Sequence, residues 1–287
     1  MKNSLIIALL VCMAFASRSA AQSDMDLLDD KEDTSPVLAT FKSTRLINFH
    51  TIEVPGKRSL DFRIAHRFDE LNKGIYNMWG LDGGANIRLS LQYSWDGRLA
   101  FEMGRAGKEK NYDAQVKYRL LRQTTNHSMP VSLTLVGGMY YDFTKNPLLP
   151  SNKAYRLSYV TQVILGRKFS ERFSFQVAPV WIHFNLTDSI GDNNDAFTLA
   201  ACMRYKFTKR MALTAEYGYR LVKNFANNSY YDPFGIGLDI ETGGHVFQVH
   251  ITNAMFMQEH LYFSRTTTTF KDWGIRLGFN VSRLFAI

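Results

Sequence analysis

Residues 84–104 read GANIRLSLQYSWDGRLAFEMG, a stretch in which apolar and polar side chains alternate almost without a break. Ala85, Ile87, Leu89, Leu91, Tyr93 and Trp95 share one parity; Gly84, Asn86, Arg88, Ser90, Gln92 and Ser94 share the other. A period of two is the mark of an extended strand with one apolar and one polar face. After Asp96-Gly97-Arg98 the pattern resumes, with Leu99, Phe101 and Met103 against Ala100, Glu102 and Gly104. Such a ribbon can belong to a soluble sandwich or to a membrane barrel, and strand length separates the two.

The period recurs along most of the chain. Tyr112, Ala114, Val116, Tyr118 and Leu120 oppose Asp113, Gln115, Lys117 and Arg119, and Leu213, Ala215, Tyr217 and Tyr219 oppose Thr214, Glu216, Gly218 and Arg220. These strands run to about ten residues or more, with aromatic residues such as Trp95, Phe169, Phe173, Tyr205 and Phe207 near their ends, as transmembrane strands and their interfacial girdles require. Past Phe41 no stretch carries a helical period, and no apolar run approaches the roughly 20 residues of a membrane helix. The expected fold is all-β: a closed antiparallel transmembrane β-barrel of about 12 strands.

The strands are expected near 59–69, 84–95, 99–107, 111–121, 131–143, 155–169, 173–184, 196–207, 211–222, 234–242, 245–255 and 271–287. Turn parity supports this division. For apolar side chains to face one another, Trp95 must pair with Leu99, Phe169 with Phe173, Phe207 with Met211, and Thr242 with His245, which sets Asp239 opposite Gln248. These tight turns and the 122–130 connection fall at one end, expected to be periplasmic. The connections 70–83, 144–154, 185–195, 223–233 and 256–270 fall at the other, expected to be outside the cell.

The N-terminus has Lys2, an apolar run from Leu5 to Ala16, and Ser19-Ala20-Ala21, which predicts a secretory signal peptide over residues 1–21. Residues 22–57 are expected to form a flexible segment, periplasmic or plugging the lumen. Its first part carries Asp24, Asp26, Asp29, Asp30, Glu32 and Asp33 with few apolar residues. The remainder, 58–287, would be the barrel. Without residues 1–21 the charge is 32 − 26 = +6, because Lys2 and Arg18 leave with no acid; Cys202 is then the single thiol, excluding an internal disulfide.

Alternation predicts which side chains line the lumen. Arg63, Arg67, Arg88, Lys117, Arg119, Arg156, Lys168, Arg204, Lys206, Arg220 and Arg276 are expected inward, against Asp61, Glu102, Asp113, Glu216, Asp239, Glu241 and Asp272, an excess of 11 − 7 = +4. His250 is expected to join them beside Thr252. Filled by ion pairs, this interior would be scaffold; lined by water, it would be an anion-preferring pore. None of the seven histidines forms a local motif with a serine, no pair has metal spacing, and the paired glycines do not precede a helix and lysine as a phosphate loop would. No catalytic, cofactor or metal residue is therefore assigned.

The segments LDFRIAHRFDELN, GLDGGANIRLSLQYSWDGRLAF, KYRLLRQ, MPVSLTLVGGM, DIETGGHVFQVHITNA and GFNVSRLF resemble an outer-membrane β-barrel family of Bacteroidetes-type bacteria, a domain of unknown function. The resemblance implies residence in a Gram-negative outer membrane and brings no activity or site residue. The last strand, with Trp273, Ile275, Leu277, Phe279, Val281, Phe285 and Ile287 on one face, resembles a terminal signal read by outer-membrane assembly machinery. The expected partners are outer-membrane lipid and that machinery, not nucleic acid, with a periplasmic or extracellular protein left open. A structural or partner-binding barrel is preferred, a narrow anion-preferring, porin-like channel is the alternative, and an outer-membrane hydrolase comes last.

Overall fold

The computed structural model describes residues 34–145, 152–187, 189, 191–222 and 230–287. The expected signal peptide, the acidic stretch up to Asp33 and parts of the connections near 146–151, 188–190 and 223–229 lie outside the described residues. Twelve strands follow in chain order: β1 (Ser59–Glu70), β2 (Asn86–Ser94), β3 (Leu99–Ala106), β4 (Asn111–Leu121), β5 (Ser132–Asp142) and β6 (Leu157–Lys168), then β7 (Phe173–Phe184), β8 (Asp195–Lys206), β9 (Met211–Arg220), β10 (Phe234–Thr242), β11 (His245–Thr252) and β12 (Arg276–Ala286). Each pairs antiparallel with its sequence neighbours, and β1 closes the ring on β12. Closure gives every strand two partners, so no row of backbone amides is left to hydrocarbon.

Register follows the hydrophobic pattern. Gln92 faces Glu102, Asp239 faces Gln248, and Cys202 faces Glu216. The Trp95 amide donates to the Leu99 carbonyl at 2.9 Å, Phe169 to Phe173 at 2.9 Å, and Phe207 to Met211 at 3.2 Å. A small polar residue sets each of these turns. Asp96 Oδ1 accepts from the amides of Arg98 (2.8 Å) and Leu99 (2.7 Å). Ser170 Oγ does the same for Arg172 and Phe173, and Thr208 Oγ1 for Arg210 and Met211. Gly97 takes φ 83°, a left-handed conformation open to glycine at little cost.

The two faces separate as expected on β2 and β3: Leu89 is 48% and Met103 71% exposed to the lipid side, while Arg88 and Glu102 are 2% and 3% exposed inside. The interior is not uniformly polar, however. On β5–β8 the inward side chains include Val136, Tyr140, Val160, Ile164, Val180 and Ile182. Beside the inward Thr134, Gln162, Gln176 and Arg204, these side chains make one half of the lumen mainly apolar and leave most of its charge to the other half.

Three expectations change. Asp272 stays outside the lumen: β12 begins only at Arg276, and Asp272 lies exposed at the end of a 3-10 turn over Phe270–Asp272. Arg156 does not line the lumen: Asn152 Oδ1 accepts from the Ala154 amide (3.0 Å) and winds a 3-10 turn over Lys153–Arg156, so alternation begins only at Leu157. Arg156 instead reaches the carbonyls of Asp142 (3.1 Å) and Thr144 (2.7 Å) at the loop end. The connection after β11 does not stay wholly outside, because its helical turn α1 (Glu259–Tyr262) buries Glu259, His260 and Tyr262. Residues 40–54 lie in the lumen, where thirteen of them are buried, while Lys42 and Glu53 are not.

Candidate functional site

The lumen is occupied by the chain's own N-terminal segment. Entering at the turn end, where the Val37 amide donates to Gln123 O (2.8 Å), the chain runs inward and reverses over Leu46-Ile47-Asn48-Phe49. It leaves as a short hairpin, with Leu46 N to Phe49 O at 2.9 Å, Thr51 N to Thr44 O at 3.0 Å, and Arg45 bridged to His50. A tight turn exposes amides on one side and carbonyls on the other, and these must be satisfied inside a barrel.

Charged side chains of the wall satisfy them. The Glu216 carboxylate accepts from the main-chain amides of Ile47 (3.2 Å), Asn48 (2.9 and 3.0 Å) and Phe49 (3.0 Å), and from Asn48 Nδ2 at 2.7 Å. On the opposite side, Arg63 donates to the carbonyls of Arg45 (3.2 Å) and Leu46 (3.0 Å). Arg67 donates to Ile47 O (3.1 Å) and Asn48 Oδ1 (2.9 Å), and Asn280 Nδ2 also reaches Ile47 O (2.9 Å). Lys117 Nζ donates to Thr44 O at 3.1 Å. Hydrogen bonds with one ionised partner are the strong ones, about twice a neutral bond.

A second cluster joins the hairpin to α1. Arg45 lies between Glu259 (2.5 Å) and Glu102 (3.1 Å); Arg88 reaches Glu102 (2.9 Å) and Asp113 (2.6 Å). A Cβ at position 104 would fall within 2.7 Å of Asp113 Oδ1 and nearer still to Arg88, so Gly104 makes room for that pair. Glu259 also accepts from Tyr140 Oη (2.6 Å) and lies 3.0 Å from His50 Nε2, which in turn sits 2.7 Å from Gln115 Oε1. Burial, reinforced by Arg45, pushes the His50 imidazole down to about 4, so it is neutral at pH 7. Burial works against the Glu259 carboxylate, yet Arg45 holds it well below the usual range. Against the apolar half, Phe49 stacks on Tyr262 (5.3 Å between centroids) and meets Phe263 at 4.5 Å.

The other residues expected in the lumen are also placed. Arg204 pairs with Glu241 (2.5 Å), which also holds Lys42 (3.2 Å); Asp239 accepts from Gln248 (3.0 Å). Arg119 is partly buried near the turn end, on Gly97 O (2.5 Å) and 3.6 Å from Glu53. Arg220 and Arg276 sit at the loop end, on Tyr230 O (2.5 Å) and Glu70 (2.6 Å) respectively. His250 is buried beside Gly278 and Arg67. Alternation could not find the hairpin or α1, which lie outside the strands. Their visible signals were an arginine, an asparagine and a histidine interleaved with Leu46, Ile47 and Phe49, and the loss of alternation in 160–165 and 177–182, where a wall needs an apolar partner.

The model of the membrane bound beta barrel domain family (DUF5777) matches residues 41–285. No curated protein matches the chain. Among solved structures it is similar to the KdgM porin (13% identity, 79% of this chain and 99% of that one, TM-score 0.47). Similar too are an outer membrane channel from Pseudomonas putida F1 (12%, 82% and 98%, TM-score 0.49) and outer membrane phospholipase A from Escherichia coli (13%, 80% and 94%, TM-score 0.47).

Proposed function

The chain belongs to the membrane bound beta barrel domain family, and from that premise we propose that it is a sealed outer-membrane barrel, a scaffold that binds partners at its ends and does not conduct solute through its centre. One observation carries this reading: Arg63, Arg67 and Glu216 are taken up by the main chain of residues 45–49. Side chains that would otherwise give a lumen its ion selectivity are here the anchors of a plug. The turn end would face the periplasm and the long connections the exterior, as short inner turns and longer outer loops suggest.

In a planar bilayer the full chain should be silent. Steady, anion-selective current from the intact, folded barrel would overturn the reading. A channel opened by withdrawal of residues 40–54 is the second reading, favoured by the acceptors that Arg63, Arg67 and Lys117 would lose. For that case, a chain lacking residues 22–57 should conduct and prefer chloride to potassium, since excess positive charge raises anion occupancy in a narrow space.

A further inference from the structure

Charge is distributed unevenly between the two ends of the barrel. At the turn end the exposed cations include Arg58, Arg98, Arg172, Lys209, Arg210 and Arg283, whereas the exposed carboxylates there, among the described residues, are Asp96 and Glu171. Both carboxylates are already engaged: Asp96 caps its own turn, and Glu171 pairs with Lys168 at 2.9 Å. None of those six cations forms an ion pair among the described residues. At the loop end cations are interspersed with carboxylates: Lys73 lies on Asp69, Arg276 on Glu70 (2.6 Å) and Arg156 on main-chain carbonyls, and the exposed Lys108, Lys110, Lys145, Lys153 and Lys271 share that end with Asp82, Asp142, Asp195, Asp232 and Asp272.

The unpaired cations form a ring. Arg98 lies between β2 and β3, Arg172 between β6 and β7, Arg210 between β8 and β9, and Arg283 and Arg58 flank the β12–β1 seam. A protein docking from one side would use one arc, whereas positive charge on several sides of the wall matches a surface that surrounds the barrel. Aromatic rings stand at the same level. Trp95 and Phe207 are exposed, Arg283 lies 4.9 Å from the Phe285 ring centroid, and Arg167 lies 5.4 Å from that of Phe169. Aromatic side chains at the hydrocarbon edge with guanidinium groups just beyond it suit lipid phosphates, since an arginine stem can lie along apolar surface while its head binds phosphate in a bidentate manner.

We infer that the turn end is a collar for anionic phospholipid head groups, which fixes the barrel's depth and favours acidic lipid in the leaflet it faces. The inference stands apart from whether the lumen is sealed. Its test is lipid retention by the full chain, reconstituted in equal phosphatidylglycerol and phosphatidylcholine, extracted in mild detergent and read by native mass spectrometry. Each lysine or arginine near an anionic surface contributes about a fivefold gain in partitioning. Phosphatidylglycerol should therefore be retained tenfold or more over phosphatidylcholine at low salt, and the preference should collapse near 1 M salt, where the screening length is about 3 Å.

The Arg98→Gln, Arg172→Gln, Arg210→Gln triple variant should lose most of that preference while keeping the heat-dependent gel mobility of a folded barrel. A Lys108→Gln, Lys153→Gln, Lys271→Gln variant, altered at the loop end, should keep it. Equal retention of the two lipids by the unaltered chain would overturn the inference. So would an unchanged preference in the folded arginine variant, or binding of a soluble acidic peptide in place of phosphatidylglycerol, which would assign the surface to a protein partner.

Discussion

Replacing Glu216 with alanine should unlock the hairpin. In the native lumen this carboxylate accepts from three successive main-chain amides and from Asn48 Nδ2, at 2.7–3.2 Å. Hydrogen bonds to an ionised acceptor are each worth about 1.5–3 kcal/mol, and they do not add when they share one group. Removing one partner of a buried charged cluster costs about 3–5 kcal/mol because the donors stay behind without an acceptor. Relief of the carboxylate's own burial offsets part of this, so about 3–4 kcal/mol is the expected loss, a shift in the open-to-closed ratio on the order of 10² to 10³. Cys202 is a built-in reporter: it faces Glu216 across β8 and β9, is 2% exposed, and belongs to the cluster containing Phe49 and Tyr262. In a Cys12→Ser background it is the only thiol. Maleimide labelling of Cys202 in the Glu216→Ala barrel should accelerate by at least tenfold. An unchanged rate, in a barrel that keeps its heat-dependent mobility, would refute the claim that Glu216 holds the segment.

Acid should act in the same direction. His50 is pushed down to about 4 by burial and Arg45, and His260 to about 3 by burial and Arg265, so neither takes a proton while enclosed near neutral pH. Once released, each would titrate near 6.5, so the closed state loses stability as pH falls from 6.5 towards 4, on the order of 3 kcal/mol from His50 alone. The depressed Glu259 carboxylate adds stability above about 4.5 that is likewise lost below it. For the second reading, in which withdrawal of residues 40–54 opens the pore, channel openings in a planar bilayer should become frequent on going from pH 7 to pH 4, and a record that stays silent throughout would count against that reading and favour the sealed barrel. Changing Leu89 to Arg places a charge on the lipid face near mid-strand, at a cost of about 2–4 kcal/mol; urea titration into lipid vesicles should show the loss, and undiminished stability would mean the faces are misassigned.

Most of the wall was legible in the residues themselves. A period of two fixes which side chains share a face, and turn parity then leaves one register, as the pairs Gln92–Glu102 and Asp239–Gln248 illustrate. These are local properties: each strand's pattern depends on which solvent each of its faces meets, and lipid and lumen make opposite demands. Arg156 was misplaced for an equally local reason, because a capped turn ends the alternation one residue before the strand begins. What fills the lumen is a different kind of question. An inward arginine reads the same whether its partner is water, a neighbouring carboxylate or the carbonyl of Ile47, which lies 20 positions before Arg67 in the chain. That Arg45 would meet Glu259, 214 residues away, was decided only when closure of the ring brought both ends of the chain into one enclosed space. There, buried charges and turn amides depend on partners within about 3 Å, and for the hairpin the wall itself supplies them.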